Sequence, residues 1–120
     1  MKDTLKNKIF CFDLDNVICV TKGLDYRKSK KNYKVINLIN KLYDNGCIIK
    51  IFTARYMGRN KENIRLSKIQ GFKFTKEQLR RWGIKYHKLY FGKPVFDVYV
   101  DDKNFGFKKD WYINFLKELK

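Results

Sequence analysis

Proline and alanine each occur once in these 120 residues, and 12 acidic side chains face 28 lysines and arginines. Each shortage excludes something. Without a Pro/Gly/Ser-rich linker, an internal repeat or a low-complexity tract, the chain is expected to form a single domain over residues 1–120. No stretch reaches the ~18 uncharged apolar residues that a bilayer crossing needs. The apolar run IFCFDLDNVICV carries Asp13 and Asp15, which a signal peptide would not tolerate. Three cysteines (Cys11, Cys19, Cys47), odd in number and set in apolar runs, point to a reduced, cytoplasmic protein.

What is present supports a folded core: 44% of the chain is apolar and 17% aromatic, which excludes a disordered polypeptide. The formal net charge is +16. Lys, Asn, Ile, Phe and Tyr make up 61 of the 120 residues. All five have A/T-rich codons, so genome composition accounts for part of the lysine excess. The lysines are spread along the chain rather than gathered in one block, which disfavours a nucleic-acid partner. Drawing in a small anionic substrate uses the same field equally well.

Periodicity predicts strands alternating with helices. Lys8–Asp13 and Cys47–Phe52 read as strands, Lys34–Asn45 as a helix closed by Gly46, and residues 14–33 as irregular. Arg59–Gln70 reads as a second helix with Ile64 and Ile69 facing in and Gly71 ending it. Thr75-Lys76-Glu77-Gln78 matches a capping box opening a short third helix through Trp82, stopped by Gly83. Tyr86–Phe91 and Val95–Val100 read as further strands, and Asp110 as the N-cap of a last helix carrying Trp111, Phe115, Leu116 and Leu119. The expected fold class is α/β: a doubly wound, mostly parallel, Rossmann-like sheet covered on both faces, in three α/β/α layers.

Such sheets bind ligands beyond the carboxyl ends of their strands. Those ends carry Asp13-Leu14-Asp15-Asn16-Val17, Thr53-Ala54-Arg55, Lys93-Pro94 and Asp101-Asp102. Gathered in one crevice, four carboxylates repel one another unless a cation neutralises them. Hard oxygen ligands with room for water and phosphate favour Mg2+. One Asp-x-Asp alone would read as turn residues. Four matching strand ends in so short a chain are far more specific.

The order DxDx[TV], then Thr after a hydrophobic strand, then Lys, then a hydrophobic strand ending in Asp-Asp resembles the haloacid dehalogenase-like superfamily of aspartate-nucleophile phosphatases. The resemblance runs from FDLDNV through IFTAR and GKP to VYVDDKN, essentially the whole chain. IFTAR, QLRRWGIKYHKLYFGKP and VYVDDK are further similar to small phosphatases of capsular polysaccharide biosynthesis. The resemblance implies Asp13 as nucleophile, forming an aspartyl-phosphate, and Asp15 as general acid and base. It implies Mg2+ held by Asp13, the Asp15 carbonyl and Asp101, with Asp102 joining directly or through water. Thr53 and backbone amides near Asn16 and Ala54 would hold phosphate oxygens, and Lys93 would offset the charge on Asp13 and the transferring group. Asn16 stands where family members often have Gly, and Asn tolerates the left-handed turn.

The expected activity is therefore hydrolysis of a small phosphorylated metabolite, a sugar phosphate or a polyol or amino-alcohol phosphate for surface polysaccharide assembly. About 20 residues follow the first motif and about 30 separate Thr53 from the third strand, too few for an inserted cap domain. The site would then be open unless a second subunit of a homo-oligomer covers it. Lys22, Tyr26, Arg27, Arg55, Tyr56 and Arg59 stand in loops where they could read the leaving group, against the plainer reading of solvated surface. His87, mid-strand in YHKLYF, reads as structural. A nucleic-acid end phosphatase is the second reading. A phosphorelay receiver shares the parts in a different order and lacks an acid at the Asp15 position. A non-catalytic binding module leaves the filled catalytic positions without a purpose.

Overall fold

The computed structural model describes residues 5–118. Three parallel strands form the sheet in the order β1 (Ile9–Asp13), β4 (Ile48–Thr53), β5 (Lys88–Phe91). The register sets Phe10 beside Ile49, Phe12 beside Ile51 and Asp13 beside Phe52. Because side chains alternate along a strand, Ile49, Ile51 and Thr53 share one face of β4 and are fully buried. Between β1 and β4 the chain first makes a small antiparallel hairpin, β2 (Cys19–Val20) with β3 (Lys30–Lys31).

Helix α1 (Tyr33–Asp44) then begins at Asn32, whose side chain accepts the Val35 N–H, and ends before Gly46 at φ 88°. Its Ile36, Ile39 and Leu42 pack in one cluster with Ile49 and Ile51 of β4 and Leu79 of helix α2 (Ile64–Arg81). Both helices therefore lie on the same face of the sheet. Among the described residues this gives two of the expected three layers. Each crossover steps in the same direction along β1-β4-β5, and right-handed crossovers that step the same way put their helices on the same side. Covering the other face requires a step past β1, and no strand among the described residues pairs there.

Val95–Val100, expected as a further strand, forms no ladder. Pro94 has no N–H to give, the Val95 N–H is donated to Glu62 Oε1, and Phe96 and Tyr99 stack on each other and on the Lys93 ammonium. The expected break at Gly71 is also absent: α2 runs unbroken through it and through Thr75. Ile64 and Ile69 face solvent rather than the core. The true start is capped by Asn63, which accepts the Leu66 N–H. Gly71 is needed for close approach, since a Cβ there would overlap the Tyr56 ring. The last helix is reduced to α3 (Phe115–Glu118), with Leu116 exposed, and Leu119 lies outside the described residues. His87 is structural as expected: its Nδ1 accepts the Ile49 N–H and its own N–H is donated to the Ile49 carbonyl. No helix is long and apolar enough to cross a membrane among the described residues.

Candidate active site

The carboxyl ends of the three parallel strands bring together Asp13, Thr53 and Lys93. Asp13 ends β1 with its side chain about one third exposed, and Lys93 Nζ stands 3.3 Å from its Oδ2. The lysine reaches that position because its N–H is donated to the Thr53 carbonyl at 3.1 Å, which extends the β4–β5 ladder by one residue. Thr53 is itself fully buried, and its Oγ1 accepts the Arg55 N–H at 3.1 Å. The Ala54 carbonyl accepts the Met57 N–H, so this turn is held by its own backbone.

The loop after β1 is equally built. Asn16 adopts φ 66°, its N–H is donated to the Cys19 carbonyl at 2.7 Å, and its Oδ1 accepts the Thr21 N–H at 3.2 Å. Asparagine thus meets the left-handed requirement as the sequence suggests. Its amide, expected to hold phosphate, is spent on the turn.

Asp15 and Arg55 form the second cluster. Arg55 Nε donates to Asp15 Oδ2 at 2.9 Å and Nη2 donates to Oδ1 at 2.9 Å. The Thr21 hydroxyl donates to the same Oδ1 at 2.6 Å, and the Ser29 hydroxyl, 2.6 Å from Thr21 Oγ1, supports it. The remaining Arg55 donors meet Gln78 Oε1 at 2.7 Å and Thr75 Oγ1 at 3.4 Å, and the guanidinium lies 4.7 Å from the Tyr26 ring centroid. Gln78 in turn donates to the Tyr26 carbonyl at 2.8 Å. Arg55 and Tyr26 are buried, so neither lies on a solvated surface, which corrects that reading of them. Burial also pushes the Tyr26 phenol up from its usual range.

Sequence reasoning does not single out Thr21, Ser29, Thr75 or Gln78 as site residues. The one available signal is Gln78 in QLRRWG, and the capping-box pattern absorbs it.

Among the described residues no side chain hydrogen-bonds or ion-pairs with both Asp13 and Asp101. Asp101 accepts the Lys103 N–H at 2.8 Å and the Tyr99 hydroxyl at 2.8 Å. These bonds hold its carboxyl below the usual carboxylate range, the Lys103 backbone amide first. The Tyr99 phenol is raised by the same contact. Among the described residues a connection to Asp13 runs through Tyr99 and the Lys93 ammonium, 5.7 Å from the Tyr99 ring centroid. Among the described residues no three His, Cys, Asp or Glu side chains gather closely enough to share a metal ion. The Asp15 carboxylate is engaged by Arg55 and the Asp101 carboxylate by Tyr99, and neither contact involves the Asp15 carbonyl that the resemblance names as a ligand.

No protein-family model and no curated protein matches the chain significantly. Among solved structures it is similar to the crystal structure of a structural-genomics target from Vibrio cholerae, at 27% identity and a TM-score of 0.75, with 81% of each chain covered. The parallel-sheet α/β architecture is thus shared with an experimentally determined protein.

Proposed function

We propose that this protein is a phosphomonoester hydrolase that acts through an aspartyl-phosphate on a small phosphorylated metabolite, with surface polysaccharide assembly as the expected setting. The observation that carries the reading is the 3.3 Å approach of Lys93 to Asp13 at the carboxyl ends of parallel strands. A phosphate monoester resists attack because its oxygens are anionic, so positioning and charge neutralisation make up most of catalysis. An Asp13 oxygen would form the new P–O bond in line as the ester P–O bond breaks. Lys93 would neutralise charge on the phosphoryl oxygens, and Thr53 would hold the turn around them. Asp15, fixed by Arg55 and Thr21, would give a proton to the departing alcohol and later take one from the water that frees Asp13. Mg2+ belongs to the proposal through the family resemblance: Asp13, the Asp15 carbonyl and Asp101, with Asp102 directly or through water, would hold it, and it would neutralise charge on the phosphoryl oxygens.

The test is turnover of p-nitrophenyl phosphate and a panel of phosphorylated metabolites, with Mg2+ and after chelation. Wild-type protein should hydrolyse at least one panel member, and Asp13→Asn, an amide of nearly the same shape, should keep no more than a few per cent of that rate. Equal rates in the two proteins would remove Asp13 from the nucleophile role.

A further inference from the structure

Five of the 22 lysines, all between residues 22 and 34, gather around one groove. The β2–β3 hairpin and the first turn of α1 enclose a groove of about 600 Å³ lined by Lys22, Lys28, Lys30, Lys31 and Lys34, with Tyr33 among them. All five lysines are exposed. Among the described residues only Lys28 has a carboxylate within ion-pair distance, Asp25 at 3.9 Å. Tyr33 is 62% exposed, and its ring neither stacks on another described aromatic ring nor lies under a described cation. Val20, 57% exposed, adds apolar surface to the same groove.

We propose that this groove binds single-stranded nucleic acid, with lysines along the phosphates and Tyr33 as a stacking platform for a base. The inference goes beyond the phosphatase reading and does not depend on it.

Three features select this occupant. Five cations with one weak internal partner repel one another, and a single phosphate offsets at most two of them, whereas a strand brings a phosphate with every nucleotide. An exposed ring flanked by cations is the combination that binds strands without sequence preference, since every base has a flat face to stack. The surface is concave, which suits a flexible strand following the groove better than a flat bilayer.

The measurement is fluorescence anisotropy of a labelled oligo-dT titrated with the intact protein, repeated from 50 to 200 mM salt. Binding should weaken with a log–log slope of about −0.7 per phosphate engaged, so a slope between about −2 and −3.5 corresponds to three to five phosphates. Lys30→Glu/Lys31→Glu should weaken binding at least about tenfold. The charge-matched pair Lys73→Glu/Lys76→Glu, on exposed positions of α2, should change it less than about threefold. Tyr33→Ala should weaken it about fivefold or more, the usual loss of one stacked base. All the substituted side chains are exposed, and circular dichroism of each variant checks the fold. Equal losses in the two lysine pairs would mean diffuse charge and no groove site. Tighter binding to phosphatidylserine vesicles than to oligo-dT, lost in the hairpin pair, would assign the groove to a membrane surface and overturn the proposal. An unaffected Tyr33→Ala would overturn the stacking assignment.

Discussion

Arg55 lies wholly inside the protein and grips both oxygens of Asp15, a carboxylate 40 residues earlier in the chain that keeps 21% of its own side chain exposed. The pair joins the loop after β1 to the loop after β4, and Gln78 and Thr75 join both to α2. A buried ion pair contributes little net stability when compared with well-packed apolar residues. Removing one partner costs several kcal/mol, because the other charge is left in a poor dielectric.

Asp15→Asn should therefore do two things. Loss of general acid–base catalysis should slow turnover by roughly 10²–10⁴-fold, and the stranded Arg55 should destabilise the fold by about 3 kcal/mol. Arg55→Met should destabilise by a similar amount with Asp15 chemically intact. Urea denaturation measures the loss of stability, and activity assayed well below the unfolding transition isolates the loss of catalysis. A fully stable Asp15→Asn variant would contradict the clamp.

Lys93→Met removes the cation near Phe96 and Tyr99 while keeping most of the side-chain stem. Loss of a charge aimed at the transferring group should lower kcat/KM by about 10²–10³-fold. Stability should change by no more than about 1 kcal/mol, since Asp13 is partly solvated and exposed pairs contribute little. A stability loss with unchanged kcat/KM would make the Lys93–Asp13 contact purely structural.

Replacing Gly71 with alanine should destabilise the protein, against the usual trend for helices. In an open helix the exchange gains about 1 kcal/mol. Here the new methyl meets the Tyr56 ring, itself packed on Tyr26 and Arg59, and overpacking costs about 1–3 kcal/mol. The clash with the ring outweighs the gain in helix propensity. Thermal melts of wild type and Gly71→Ala check it, and a raised Tm would show that the ring yields freely.

Cys11 is exposed, yet partial burial raises its thiol and outweighs the lowering by Lys93 and Lys50. A raised pKa leaves less thiolate at any pH below it, and thiolate is the reactive form. Iodoacetamide at pH 8 should modify Cys11 more slowly than free glutathione, with the rate climbing as pH rises. Cys19 and Cys47, both buried, should react only after denaturation. Mass spectrometry of the labelled peptides distinguishes the three, and labelling of Cys11 faster than glutathione would reverse the sign argued here.

Asp13, Thr53 and Lys93 are readable from sequence because alternation locates parallel strands, and strand ends locate a crevice whatever else the chain does. Arg55 is not. A residue just past a strand end looks solvent-facing until Gln78, Thr75 and Tyr26 arrive from elsewhere to satisfy its guanidinium, and nothing in the IFTAR spacing announces them. Gly71 misleads because helix stops and close packing use the same residue for different reasons. Val95–Val100 has a strand's composition. Pairing also needs a free partner edge and unspent N–H groups, and Pro94, Glu62 and Lys93 draw the segment elsewhere.

Each strand of the main sheet pairs with the next one in sequence, so the ladder can grow in the order in which a ribosome delivers the chain. β1 and its hairpin emerge first, α1 and β4 close over them, and Arg55 reaches Asp15 only then. Gln78 follows to complete that shell. Lys93 follows beyond β5, so the cation reaches Asp13 only after both crossovers have been delivered.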